Sequence, residues 1–308
     1  MPDHSATADV DRPSSVARAA VITENTTPIV SVERLSHTYR HAPHPALSDL
    51  ALTIHPGEIV ALVGHNGAGK TTFLRVLTGL LRPIAGDISV AGHPLYREGA
   101  RGRAEMAAAK RLMGSVADTP TLYERLTGRE FVRFLAGFYG IAEGPALEQR
   151  IAALFAFFRL DDQADQRIAT YSLGMKKKIA VCAALIHDPA MIILDEPFDG
   201  LDPAARLCLK DALRAAARRG RAILLSTHGL EVAEDLSTRI VVIHHGRIIA
   251  DGDMAYLRHL AGADDALNLE GVFFRLTGQG ELNADKDQGS PSAAGVADGT
   301  IVSDEESL

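Results

Sequence analysis

The chain has 308 residues, 46% of them hydrophobic, and a net charge of −7. Residues 1–28 and 279–308 account for this charge, and the nearly neutral segment between them lacks the basic stripe that nucleic acids bind, so no nucleic-acid partner is expected. Two cysteines, Cys182 and Cys208, exclude a disulfide framework and indicate a reducing compartment.

The two ends of the chain differ in composition from its middle. Residues 1–28 are rich in Ala, Ser, Thr and Pro, and residues 279–308 are rich in Gly, Ala, Ser and acidic residues. Because both have few large apolar side chains to bury, we expect a disordered N-terminal tail and a disordered acidic C-terminal tail around one domain at residues 29–278. The sequence shows neither a signal-peptide pattern nor an apolar stretch of the roughly 20 residues that span a bilayer.

The first chemical motif in chain order is the segment 64–71, with the sequence GHNGAGKT, which follows the apolar run 58–63. Its glycines allow successive backbone N–H groups to face a phosphate, and the helix that follows adds the positive end of its dipole. We expect Lys70 to reach the β- and γ-phosphates of a nucleotide, Thr71 to hold Mg²⁺, and Thr72 to donate to an α-phosphate oxygen. A plain glycine turn is the alternative, but the strand, loop and helix all stand where the motif needs them.

The segment 127–158 predicts two amphipathic helices. Thr127 and Glu130 have the spacing of a capping box, and apolar side chains follow at helical intervals as far as Phe138. A second helix repeats the pattern from Ile151. Six of the ten phenylalanines fall in this segment; most are expected in a core, and some could line a groove that receives a helix of another protein.

A second anion site is predicted at residues 171–178, with the sequence YSLGMKKK. Ser172 and Gly174 stand just before a helix predicted from Met175 onward, where a hydroxyl and free backbone amides can bind an anion. An ordinary helix cap is the simpler interpretation of Ser172. The three lysines 176–178 are expected on a solvated face that could meet phosphates or a neighbouring subunit.

Two later strands end in polar side chains. The apolar run 190–194 is typical of a strand in the middle of a parallel sheet, and it is followed directly by Asp195 and Glu196. Adjacent carboxylates at the end of a buried strand are costly unless a cation or a reaction uses them, so we expect Asp195 to bind Mg²⁺, directly or through water, and Glu196 to polarise an attacking water. A solvated Asp-Glu turn is the alternative. The second strand, 223–227, ends at His228, which alone would more often be structural than catalytic.

Together these motifs resemble those of ATP-binding cassette (ABC) proteins over about residues 29–278. Residues 171–178 are similar to the family's signature motif in its Ser-x-Gly-Met form, residues 199–202 to its D-loop, and His228 to its switch histidine. Tyr39 matches the aromatic residue that stacks on adenine, although a plain strand end would look the same.

The resemblance implies an α/β fold: a P-loop NTPase core with a mostly parallel sheet, an N-terminal antiparallel β subdomain, and an inserted α-helical signature subdomain at about residues 105–185. It implies ATP and Mg²⁺ as the bound groups. The implied catalytic residues are Glu196, His228 and Lys70, and the implied metal ligands are Thr71, Asp195 and Asp118. The implied nucleotide contacts are Tyr39, Gly64, Asn66, Gly67, Ala68, Gly69, Lys70, Thr71, Thr72, Ser172, Gly174, Met175 and Asp202.

Two positions depart from the family pattern. Asp118 stands where the family usually has Gln or Glu, and its shorter side chain leaves two alternatives: direct metal coordination is lost, or it is made through water. Asp199 is acidic where a small residue is common, which is expected to alter contacts between subunits. We nevertheless expect an active ATPase because the other expected residues are present: Lys70, Thr71, Glu196 and His228.

The resemblance also implies partners and a location. One phosphate loop and one signature in a chain imply a homodimer or heterodimer of ATPase subunits, which would act on separate polytopic permease subunits. The chain would then be cytoplasmic and attached peripherally to the inner face of the membrane through the permease. The segments 122–130 and 269–278 are similar to segments of bacterial drug and polysaccharide exporter ATPases, so we expect an exporter. The alternatives are a soluble ABC ATPase that acts on ribosomes or DNA, and a regulatory cassette that does not hydrolyse ATP.

Overall fold

The computed structural model describes residues 27–278. The disorder expected for the two tails concerns residues outside this range, apart from Thr27 and Pro28. Within the range, no helix combines the length and the apolar character needed to cross a membrane.

The smaller of two sheets is antiparallel and comes from the first part of the chain. Its strands are β1 (Val30–His37), β2 (Leu47–Ile54), β4 (Ala85–Val90) and β5 (His93–Pro94), in the order β2-β1-β4-β5. Alternation of buried and exposed side chains along these strands puts one face on the core and leaves the other toward solvent. This confirms the expected N-terminal antiparallel sheet.

The larger sheet is mostly parallel, as expected. Its order is β10-β9-β3-β8-β7-β6, and only the β10–β9 pair is antiparallel. Every residue of β3, β7 and β8 is buried, which explains their continuous apolar runs. The strands are β3 (Ile59–Val63), β6 (Met113–Val116), β7 (Met191–Asp195), β8 (Ala222–Thr227), β9 (Arg239–His244) and β10 (Arg247–Gly252).

Helices cover both faces of the larger sheet. They are α1 (Lys70–Leu77), α2 (Gly99–Arg111), α3 (Gly128–Phe138), α4 (Pro145–Phe158), α5 (Leu173–Leu185), α6 (Pro203–Arg218), α7 (Leu230–Leu236), α8 (Met254–Leu260) and α9 (Leu269–Leu276). One apolar core lies between the two sheets and includes side chains of α1 and α2. The other lies on the opposite face and joins the sheet to α3, α4, α5 and α6. Successive residues of β3 therefore alternate between the two cores, Val60 in the first and Ala61 in the second.

The helices predicted at 127–158 are present as α3 and α4. The capping box forms as expected: the Glu130 backbone N–H donates to Thr127 Oγ1 (3.2 Å), and the Thr127 N–H donates to Glu130 Oε2 (2.8 Å). Phe131 is buried, but Phe134 and Phe138 are 43% and 66% exposed, so the phenylalanines of this segment divide between core and surface.

The helix predicted from Met175 begins two residues earlier, at Leu173. The lysines that follow are not all on a solvated face, which corrects that expectation for one of them: Lys177 is only 4% exposed. Cys182 and Cys208 lie on α5 and α6 and are both free thiols.

Candidate functional site

The loop between β3 and α1 wraps around the side chain of Lys70. The ammonium group of Lys70 donates hydrogen bonds to the carbonyl oxygens of Gly64 (2.6 Å) and His65 (3.4 Å). The curl needs glycine at its end, because Gly69 has a φ of +113° and a Cβ there would lie 2.6 Å from the Ala46 carbonyl oxygen. The sequence therefore folds this segment into a loop whose backbone can approach a phosphate closely.

A cavity of about 890 Å³ lies over this loop. Eleven of the residues expected at the site line it: Tyr39, Gly64, Asn66, Gly67, Gly69, Lys70, Thr71, Thr72, Asp118, Glu196 and His228. Ala68 is almost fully buried behind the loop and is not part of the lining. The cavity is large enough for a nucleotide, and the residues brought together belong to five separate segments of the chain.

Burial and neighbouring carboxylates shift the pKa of Lys70 in opposite directions. Burial, the larger effect, lowers the pKa of its ammonium group, and the charges of Glu196 and Asp195 partly offset this. The Lys70 nitrogen lies 3.9 Å from Glu196 Oε1. A phosphate in the cavity would add the anionic partner that favours the charged form of Lys70.

The carboxylate of Asp195 meets the hydroxyl of Thr71 where β7 ends beside α1. Asp195 is buried; its Oδ1 accepts hydrogen bonds from Ser226 Oγ (2.5 Å) and Thr71 Oγ1 (3.5 Å). A second cleft between the sheet and α1 is lined by Thr71, Asp195 and Asp118 together. Hydroxyl and carboxylate oxygens are the ligands that Mg²⁺ prefers, so these residues fit the expected metal ion.

Glu196 and His228 follow neighbouring parallel strands and meet at the same sheet edge. Oε2 of Glu196 lies 3.1 Å from His228 Nδ1 and accepts the backbone N–H of His228 (3.2 Å). Glu196 has a φ of +45°, in the left-handed region that a residue with a side chain seldom adopts. Its own N–H donates to Ser226 Oγ (3.1 Å) and the Ser226 carbonyl (3.2 Å). The histidine is partly exposed and the glutamate faces the cavity.

Tyr39 lines the cavity beside Thr72. Its hydroxyl is 3.2 Å from Thr72 Oγ1, and the ring of His37 packs against it edge to face at 4.9 Å. The phenol ring is 38% exposed. It therefore stands free enough for a flat, apolar group to stack on it.

Besides Ala68, four of the residues expected to contact the nucleotide do not line this cavity. They are Ser172, Gly174, Met175 and Asp202. Ser172 Oγ accepts the Met175 N–H (3.3 Å) and thereby caps α5, as the simpler interpretation had it. Asp202 caps α6, since its Oδ1 accepts the Ala205 N–H at 2.8 Å. Within a single chain Ser172 and Asp202 are helix caps, and a role at a nucleotide would require a second chain.

Sequence reasoning missed several residues of the cavity wall. Glu270, Phe273 and Phe274 of α9 line it, and the Phe273 ring packs against His65 at 4.8 Å. Asp199 also lines it, with a carboxylate oxygen within 4.8 Å of ligand atoms of Glu196 and His228. No local signal could reveal the α9 contact, because it joins residues about 200 positions apart.

A phosphate loop, a buried strand that ends in two carboxylates, and a histidine on the next strand define a nucleotide-binding P-loop cassette. The family model described as ABC transporter matches residues 47–199. The ABC-type transporter ATP-binding protein EcsA of Bacillus subtilis (strain 168) is 33% identical over 249 residues, which cover 81% of this chain and 96% of EcsA. The chain therefore belongs to the ABC transporter family.

Other relatives are longer than the matched region. Nod factor export ATP-binding protein I of Rhizobium sp. (strain N33) is 38% identical over 206 residues, 67% of this chain and 65% of that protein. ATP-binding cassette sub-family A member 7 of Mus musculus is 36% identical over 241 residues, 78% of this chain, but the chain spans only 11% of its length. A solved structure of an ATP-binding subunit of an ABC transporter has 35% identity and a TM-score of 0.73, covering 80% of this chain and 99% of that one.

Proposed function

We propose that this chain binds ATP with Mg²⁺, hydrolyses it at Glu196, and uses the reaction to drive export through separate membrane subunits. The observation that carries the hydrolytic part is the placement of the Glu196 carboxylate in the same cavity as the phosphate loop, 3.9 Å from the Lys70 nitrogen. A carboxylate in that position can accept a proton from a water that attacks the γ-phosphate.

The residues divide the chemistry between them. Lys70 would exchange its hydrogen bonds to the Gly64 and His65 carbonyls for bonds to phosphate oxygens, so its charge is already held at the loop before the nucleotide arrives. Thr71 and Asp195 are placed to hold Mg²⁺, which supplies charge neutralisation at the β- and γ-phosphates.

Glu196 and His228 form the water-activating pair. His228 contacts one oxygen of the Glu196 carboxylate, Oε2, both through its ring and through its backbone N–H. These bonds orient the side chain, so the other oxygen, Oε1, is the one that faces Lys70. The geometry supports Glu196 as the general base and His228 as the group that orients it and contacts the γ-phosphate.

A dimer is the second part of the proposal. Ser172, Gly174 and Asp202 lie away from the cavity of their own chain, so they could contact ATP only if a second cassette faced the first. Ser172 at the N-terminus of the 13-residue helix α5 would then bring a hydroxyl and helix amides to the partner's γ-phosphate. The partner is a second copy of this chain or a related ATPase.

Export through a separate permease is the third part. The relatives EcsA and Nod factor export protein I support it by their descriptions as a transporter and an export ATP-binding protein. A surface for a membrane subunit is available on α3 and the segment before it, where Tyr123, Phe134 and Phe138 form an exposed edge-to-face series with ring spacings of 5.4 and 5.0 Å. This attachment would hold the chain at the inner face of the membrane.

The hydrolytic role is tested by steady-state phosphate release from ATP and Mg²⁺. Glu196→Gln keeps the size of the side chain but removes the base, and we expect the rate to fall by about 10²–10⁴-fold while ATP binding is retained. The matched control is Glu231→Gln, an exposed glutamate on α7, which should hydrolyse ATP at the wild-type rate. Undiminished turnover in Glu196→Gln would contradict the role, and a wild-type protein that binds ATP without releasing phosphate would favour the regulatory alternative.

A further inference from the structure

Lys177 is the one lysine of the 176–178 run that enters the protein. Its side chain is 5% exposed, and its ammonium group donates a hydrogen bond to the Glu196 carbonyl oxygen (2.9 Å) and lies 3.5 Å from Asp118 Oδ1. Lys176 instead pairs with the exposed carboxylate of Glu124, and Lys178 makes no ion pair within residues 27–278. Three adjacent residues with the same side chain thus have three different environments.

We propose that Lys177 is a positioning residue for the reaction: it holds the backbone of Glu196 in place and ties Asp118 to helix α5, which Ser172 caps. The inference rests on the proposed function, since it takes Glu196 to be the general base. It adds a residue to that site which does not line the cavity and does not need to touch ATP.

The conformation of Glu196 is the first reason why such support is needed. A φ of +45° is disfavoured for a residue with a Cβ and persists only where neighbouring groups hold it. The N–H of Glu196 is held by Ser226, and its carbonyl oxygen is held by Lys177. If the bond from Lys177 is lost, the peptide that follows Glu196 can rotate, and the carboxylate then leaves the position set by His228.

The charge of Lys177 is the second reason. A buried ammonium group needs an anionic partner, and Asp118 is the carboxylate that supplies it. Asp118 is 55% exposed and also lines the cleft that contains Thr71 and Asp195. A cation bound in that cleft would therefore compete with Lys177 for the Asp118 carboxylate. The short side chain of Asp118 thus has a function as the ion-pair partner of Lys177.

Lys177 connects three elements of the fold, so a movement of one of them can change the position of residues on the others. Lys177 lies on α5, Glu196 follows β7, and Asp118 follows β6. Helix α5 is capped at its N-terminus by Ser172, the residue that a partner's nucleotide would contact. A shift of α5 relative to the sheet would change the hydrogen bond to Glu196 and the ion pair to Asp118 together, so binding at Ser172 and the position of the base are mechanically connected.

The first test compares substitutions at adjacent lysines by ATPase kinetics. We expect Lys177→Met to lower kcat by roughly tenfold or more while KM for ATP changes by less than about threefold, because the residue positions a catalytic group and does not bind the nucleotide. Lys177→Gln keeps a donor for the Glu196 carbonyl and should retain an intermediate kcat. Lys178→Met, the matched control, should stay within about twofold of the wild-type kcat.

The second test uses the nucleotide-free protein and needs no turnover. Urea unfolding of Lys177→Met, Asp118→Asn and the double variant forms a double-mutant cycle, and the ion pair predicts that the two effects are not additive. A kcat of Lys177→Met equal to that of the wild type would overturn the positioning role, as would an equal loss in Lys178→Met. Strict additivity in the cycle would overturn the tie to Asp118.

The outcomes separate this inference from the proposed function. If Glu196→Gln turned over as fast as the wild type, the proposed base would be wrong and the kinetic part of the inference would fall with it, whereas the unfolding cycle would still decide the contact. If Lys177→Met did not fold, Lys177→Gln would take its place in both tests. Wild-type kcat in a folded Lys177→Gln, together with additivity, would overturn the inference.

Discussion

Tyr39 shows how a single side chain at the cavity can be tested for one role. Its ring is partly exposed and its hydroxyl bonds only to Thr72 among the described residues, so stacking and hydrogen bonding can be separated by substitution. Removal of an aromatic platform costs about 1–3 kcal/mol of binding per stacked base. Tyr39→Ala should therefore weaken ATP binding by roughly 5- to 150-fold.

Tyr39→Phe is the control for that prediction because it keeps the ring and loses only the hydroxyl. It should bind a fluorescent ATP analogue within about threefold of the wild type, since a partly exposed hydrogen bond contributes little. Equal affinities of Tyr39→Ala and the wild type would show that adenine does not stack at this end of the cavity.

The positions of residues in a short local pattern could be predicted from the sequence, whereas the burial of one side chain on a helix could not. The segment 64–71 placed Lys70 and Thr71 in the cavity because strand, loop and helix are contiguous. Lys177 was expected in solvent. Every residue of α5 from Ile179 to Ala184 is buried, so this helix has no polar face, and its sequence pattern does not indicate which of the preceding lysines points inward. Its partners, Asp118 and Glu196, are distant in sequence.

At the scale of elements, one contact connects α3 to the edge of the larger sheet. The ring of His187, just after α5, stacks on Tyr139 at the end of α3 with centroids 3.5 Å apart, and its Nε2 lies 3.1 Å from the Met113 carbonyl oxygen of β6. Nδ1 of His187 is buried and has no hydrogen-bond partner within residues 27–278. Burial lowers the pKa of His187 to about 4, assisted by Arg150 and opposed by the bond to Met113 and the charge of Asp188.

This low pKa predicts a loss of stability on acidification. Between the ordinary histidine pKa of about 6.5 and the folded value of about 4, the unfolded chain binds a proton at this site and the folded chain does not. The free energy of unfolding should therefore fall as the pH drops through this window, by about 1–3 kcal/mol after allowance for partial exposure, and the effect should level off below it.

Urea unfolding at pH 7.5 and pH 5 checks this prediction. His187→Phe keeps the stacked ring and cannot titrate, so its stability should fall by less than that of the wild type between the two pH values. All other residues are the same in the two proteins, so their contributions to the pH dependence cancel in the comparison. An identical decrease in the two proteins would mean that His187 is not protonated on unfolding in this range.

The order of the elements could be predicted from the sequence more fully than the contacts between them. The buried strands β3, β7 and β8 appear as continuous apolar runs, and the capping box marks the start of α3 to the residue. The position of α9 against the phosphate loop could not be derived, because the pattern of an amphipathic helix states which face is buried and not what covers it.

At the scale of the whole molecule, the candidate site is divided between two surfaces. The cavity is lined by the phosphate loop, by Glu196, the proposed base, and by Tyr39, the proposed adenine platform, whereas Ser172 and Gly174 do not line it. A two-fold dimer of such chains would form two composite sites, each with the loop of one chain and the signature segment of the other. Glu196→Gln with ATP should therefore run as a dimer in light scattering, and as a monomer without nucleotide.

Mixing two inactive variants is the sharper test of composite sites. Lys70→Ala removes the loop lysine, and Ser172→Arg places a bulky side chain where the second chain would contact ATP, so each homodimer should be inactive. In a mixed dimer, one site combines Lys70 of the Ser172→Arg chain with Ser172 of the Lys70→Ala chain and is intact, so the equimolar mixture should regain about one quarter of the wild-type rate. A mixture that stays inactive, while the wild type alone hydrolyses ATP, would contradict a site shared between chains. Full activity of Ser172→Arg alone would show that the signature segment is not part of the site.

If wild-type chains neither dimerised nor turned over until a related ATPase was added, the partner would be that second protein, and the same two variants would then show which of the two composite sites hydrolyses ATP.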